Sequence, residues 1–133
     1  MEKLPINPEC HLYGEYFYPS RLGLQNMRQA NDPGDLGKIG KYKGLPKPYG
    51  SCCITTPEEI TVAKRIEWLA DFTGKKKQAF IDAGASEIVF WIYWEGIQGN
   101  MELTPKELKK LAKLKIPLAM HYLQLEGDEC EIA

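Results

Sequence analysis

Seven consecutive residues, Ile88-Val89-Phe90-Trp91-Ile92-Tyr93-Trp94, are without exception β-branched or aromatic. Successive side chains of an extended chain point to opposite faces, so neither face of this stretch is polar. It fits a central strand covered on both sides, and a chain that carries it must supply flanking strands and a layer of helices.

The remaining sequence supplies both. Residues 10–18 read as a first strand, with Leu12, Tyr16 and Tyr18 on one side of the pleat and Tyr13 and Phe17 on the other. Pro19 starts a helix of one or two turns that Gly23 keeps short. Residues 51–55 are small and β-branched and read as a second strand, and residues 118–125 as the last. Thr56-Pro57-Glu58-Glu59 has the form of a capping box, and Val62, Ile66, Leu69 and Ala70 follow at helical spacing. Thr73-Gly74 is expected to interrupt this helix, which resumes with Phe80 and Ile81 inward and stops at Gly84. Residues 95–100 read as a turn and 101–103 as a short extended piece. Thr104-Pro105-Lys106-Glu107 is a second box, followed by the stripe Leu108, Leu111, Ala112 and Leu114 and a stop at Pro117. The order predicts an α+β fold: a two-layer sandwich with an about four-stranded mixed or antiparallel sheet and helices packed on one face.

A length of 133 residues predicts a single domain over 1–133, with a long Gly/Pro/Lys loop at 31–50 and a frayed tail at 126–133. The apolar fraction of 44% excludes a disordered or fibrous chain, and a net charge of -1 excludes a global field toward nucleic acid or membrane. The N-terminus lacks the form of a signal peptide and no apolar run reaches membrane length, so a cytoplasmic protein is expected, with Cys10, Cys52, Cys53 and Cys130 as reduced thiols.

The segment Leu103-Thr104-Pro105-Lys106-Glu107-Leu108-Lys109-Lys110-Leu111-Ala112-Lys113-Leu114, followed by Ile116-Pro117-Leu118 and Tyr122, resembles a bacterial domain family of unknown function. The similarity extends over residues 49–124, with Gly14 to Leu24 similar to the family's opening segment. Lys115 stands where the family commonly has Gly, and His121 where acidic residues are usual. The resemblance implies a small α+β fold and carries no chemistry to transfer.

No catalytic constellation, cofactor motif or metal-ligand spacing is evident. Cys10-His11 and Cys52-Cys53 are adjacent pairs whose members point to opposite strand faces, so each pair offers one ligand at most, and a composite of Cys10, Cys52 and His121 is the arrangement strands would permit. A thiol-dependent enzyme or ligand-binding domain would need Cys53 beside His11 or His121, with Glu15 as the orienting carboxylate. Residues 34–44 mix glycine with lysine but lack the spacing of a phosphate loop. The whole 31–50 segment reads as a mobile basic loop whose Leu36, Ile39, Tyr42 and Leu45 dock transiently on the sheet and rearrange with a partner. Lys75, Lys76 and Lys77 and the row Lys106, Lys109, Lys110 and Lys113 share their helices with acidic residues, which argues against nucleic acid. Trp91, Tyr93, Tyr13 and Phe17 are expected on one aromatic sheet face, with Phe90, Trp94, Tyr16 and Tyr18 on the other. If the helices cover a single side, the other is a partner surface bordered by Lys38, Lys41, Tyr42 and Lys43. The expected function is a non-enzymatic protein-interaction module, such as a bacterial immunity protein or phage-encoded inhibitor, with another protein as partner.

Overall fold

The computed structural model describes residues 6–96 and 101–124. Among these residues five strands, β1 (Ile6–Gly14), β2 (Met27–Asn31), β3 (Gly50–Thr55), β4 (Glu87–Gly96) and β5 (Leu118–Gln124), form one sheet in the order β2-β3-β1-β4-β5. All neighbours are antiparallel except β4 and β5, which are parallel and joined through α2 (Pro105–Leu114). The longer helix, α1 (Arg65–Asp82), connects β3 to β4. This is an α+β architecture with a mixed open sheet, carrying one strand more than the sequence suggests.

Alternation along the strands divides the sheet cleanly. Cys10 and Leu12 of β1, Cys52 and Ile54 of β3, and Phe90, Ile92 and Trp94 of β4 join Ile66, Leu69, Ala70 and Phe80 of α1 and Leu111 and Leu114 of α2 in one core. Each fully buried Leu, Ile or Phe contributes about 1.5–3 kcal/mol to folding. Both helices therefore lie on one side, and Glu9, His11, Tyr13, Cys53, Trp91 and Tyr93 belong to the opposite face, which is helix-free among the described residues.

Several expectations are corrected. The first strand starts at Ile6 and ends at Gly14, so Phe17 lies past its end in a turn, and its ring is fully buried in the core rather than set on the aromatic face. Tyr16 is instead exposed. β2, unexpected from its sequence Met-Arg-Gln-Ala-Asn, is an edge strand with one irregularity between Arg28 and Asn31. Thr56 caps nothing: Ile60-Thr61-Val62 are consecutive β-branched residues, Thr61 is extended, and α1 starts only at Arg65 after a short 3-10 turn. Arg65 fixes that start by donating to the carbonyls of Ile60 and Ile6 and to Asn7.

α1 also runs unbroken through Thr73-Gly74. Thr73 is buried, and the Leu114 side chain of α2 packs 3.5 Å from the position a Cβ on Gly74 would take. A Cβ there would meet Leu114 at ordinary van der Waals distance, so the glycine costs the helix about 1 kcal/mol and the packing of α2 along this turn keeps α1 continuous. Lys77 donates to the carbonyl of Leu114 at 2.8 Å and ties the two helices together. Ile81, Leu108 and Ala112, expected inward, are exposed. The expected stop at Gly84 is present, with φ 107°, and Lys115 ends α2 in the left-handed conformation at φ 56°. Residues 101–103 form no strand. The expected turn beyond Gly96 and the tail at 126–133 lie outside the described residues.

Candidate functional site

On the helix-free face, Glu9 and His11 sit two residues apart on β1 and so point the same way, while β3 is registered to place Cys53 directly opposite His11. Their ligating atoms all lie within 4.8 Å of one another. His11 Nε2 and Glu9 Oε1 share a hydrogen bond of 2.9 Å, Arg28 donates to the other Glu9 oxygen at 2.7 Å, and the Cys53 thiol donates to Gln29 Oε1 at 3.6 Å. Gln29 occupies the irregular point of β2 with φ 53°, a left-handed conformation that costs a non-glycine residue about 1–2 kcal/mol. That conformation brings its side chain to the thiol of β3.

The electrostatics follow from these contacts. Burial would lower the His11 imidazole, but hydrogen bonding to Cys53 and Glu9 and attraction to both outweigh it, and the imidazole is pushed up to about 9. The hydrogen bond from His11, helped by Arg28, holds Glu9 below the usual carboxylate range against the effect of burial. The two core thiols behave differently. Desolvation pushes Cys10 and Cys52 up to about 12, which leaves them neutral.

Aromatic rings surround the cluster. Trp91 and Tyr93 stack at 5.6 Å, His11 lies 5.5 Å from Trp91, and His121 of β5 meets the Tyr93 ring at 5.8 Å. Toward β3, Tyr13 contacts Tyr49 at 4.9 Å, and Tyr49 contacts Tyr42 of the 31–50 segment at 5.9 Å. A groove of about 340 Å³ lies on the β1–β3–β2 side of the cluster, lined by His11, Tyr13, Gln29, Tyr49, Ser51 and Cys53 among others.

The structure thus brings Trp91, Tyr93 and Tyr13 to one face and joins Tyr42 to it through Tyr49. Lys38, Lys41 and Lys43 stand exposed in the neighbouring segment, with Lys41 over the Tyr42 ring. Leu36, Ile39 and Leu45 do not dock on the sheet. They are exposed, because the segment closes on itself through Gly34 to Lys47, Lys47 to Asp35 and Gly37 to Leu45 backbone hydrogen bonds. Phe17 is absent from the face, as its burial requires.

The composite of Cys10, Cys52 and His121 is also overturned, since both thiols face the helices while His121 lies on the far side of the sheet. For thiol chemistry, Cys53 and His11 do come together, with Glu9 rather than Glu15 as the carboxylate. Cys53 nevertheless sits in mid-strand, paired with His11 on one side and Arg28 on the other. Glu9 escaped the sequence reading, although the Glu-x-His spacing on an alternating strand places both residues on one face.

On the other layer, Lys75, Lys106, Lys109, Lys110 and Lys113 line a groove between the helices. Lys110 is bonded to Asp71 at 2.8 Å and Lys106 to Glu67 at 3.2 Å, the mixed charge the sequence indicates. Among the described residues no helix is long and apolar enough to cross a membrane. No family model, curated protein or solved structure matches this chain.

Proposed function

We propose that this chain is a protein-interaction module that receives another protein on its helix-free sheet face, as a bacterial immunity protein or a phage-encoded inhibitor would. One observation carries the reading: both helices cover the same side of the sheet, and the opposite side carries the Trp91–Tyr93 stack, His121 and the Tyr13–Tyr49–Tyr42 series. Aromatic side chains give large contact area with few rotors to immobilise, and they dominate the energetics of most interfaces. Arg28, Lys41, Lys43 and Lys47 border this face, so a partner with an acidic rim around an apolar centre is the best complement.

The test compares partner capture by the intact chain, by the Trp91→Ala/Tyr93→Ala variant and by a Lys106→Ala/Lys109→Ala control on the helical layer, all with cooperative melting. Capture lost only in the sheet-face variant is the expected result. A folded sheet-face variant that retains the same partners overturns the reading.

A further inference from the structure

We propose that Glu9, His11 and Cys53 form a binding site for one divalent zinc-type cation on the helix-free face of the sheet. The proposal rests on the side-chain cluster itself and stands independently of the partner reading.

The donor set comes first. A carboxylate, an imidazole and a thiol together suit zinc, whereas magnesium and calcium take oxygen donors alone. Among the described residues this is the one group of three such side chains whose ligating atoms converge. Around a tetrahedral ion with bonds of about 2.0–2.3 Å, neighbouring ligand atoms stand roughly 3.3–3.8 Å apart. The atoms of Glu9, His11 and Cys53 are already within 4.8 Å, and the 2.9 Å Glu9–His11 pair needs to open only slightly to admit an ion. Side-chain rotation covers the difference, because all three residues are fixed on paired strands in register.

The surroundings support the same role. Arg28 occupies the second Glu9 oxygen, which leaves one oxygen for an ion and orients it. Gln29 is held over the thiol in a strained backbone conformation and accepts from it through Oε1, and a flip of that amide would turn its NH2 to donate to a metal-bound sulfur. A carboxylate and a thiolate balance a doubly charged ion. Cys53 is 7% exposed and the His11 side chain 33% exposed, so the sulfur is shielded while the imidazole edge remains open. Three protein ligands leave a fourth position for solvent, as in zinc sites that exchange ligands.

The experiment uses the full chain in a Cys130→Ser background, freed of metal and titrated with Co2+, then challenged with Zn2+. The expected result is saturation at one Co2+ per chain, with a sulfur-to-cobalt charge-transfer band and the visible bands of tetrahedral cobalt, both displaced by Zn2+ and not by Mg2+. Cys53→Ser should remove the charge-transfer band, Cys52→Ala should leave it, and Glu9→Gln and His11→Ala should each weaken binding at least about tenfold. The wild-type spectrum reports sulfur ligation whether or not any variant folds. Absence of saturable uptake, an octahedral spectrum without the sulfur band, or a band that persists in Cys53→Ser overturns the proposal.

Discussion

Thr104 and Glu107 exchange two hydrogen bonds across the first turn of α2: the Glu107 amide donates to the Thr104 hydroxyl at 3.1 Å, and the Thr104 amide donates to the Glu107 carboxylate at 2.8 Å. Thr56 and Glu59 carry the same residue pattern and make no such pair; the Thr56 hydroxyl is buried without a protein hydrogen-bond partner. Thr104→Ala should therefore cost about 1 kcal/mol. Thr56→Val should cost nothing or stabilise slightly, because it removes a buried polar atom that gains nothing. Urea midpoints at unchanged slope measure both, and equal losses would contradict the assignment.

The two faces of the sheet also predict a thiol ranking. In the native chain Cys10 and Cys52, buried and with their thiols raised, should resist alkylation near pH 8, while Cys53 reacts ahead of them. Peptide mapping after timed labelling distinguishes the three. Labelling of Cys52 as fast as Cys53 would mean that the register of β3 is wrong.

Left-handed positions make a paired prediction. Lys115→Gly should raise stability by about 0.5–1 kcal/mol, since φ 56° strains a side chain and not glycine. Gly84→Ala should lower it by more than about 2 kcal/mol, because φ is 107° and a Cβ there would overlap the carbonyl of Tyr16. Thermal melting of both variants reads the opposite signs.

Neighbouring aromatics test the end of β1. Phe17→Ala should cost about 3–5 kcal/mol by opening a cavity in the core, whereas Tyr16→Ala, at a residue 78% exposed, should stay within about 0.5 kcal/mol. A tolerant Phe17 and a sensitive Tyr16 would reverse the pleat.

Long periodic patterns were legible in the sequence. Ile88 to Trp94 as an interior strand, the α2 box with Leu111 and Leu114 inward, and the burial of Phe80 follow from composition and spacing, whereas Leu108 and Ala112 are exposed and Trp91 and Tyr93 lie on a face that no described helix covers. Where local signals competed with tertiary contacts the reading failed: Arg65 anchored to β1 outweighs the Thr56 box, and Leu114 against Gly74 outweighs a helix break. The opposite facing of Cys52 and Cys53 was legible from strand alternation. That Cys53 meets His11 and Glu9 was not, because it depends on a pairing register set by residues more than forty positions apart.

β1 is made before the other four strands of this sheet, yet it lies between β3 and β4, and its partners in β4 are residues 87–94. β3, α1 and β4 must therefore all be made before β1 has both neighbours. Until then one edge of a strand bearing Cys10, Leu12 and Tyr13 remains unpaired. Because the closing contacts are remote in sequence, a chain made only as far as α1 leaves that edge of β1 open, and the sheet closes on β1 only once β4 has been made.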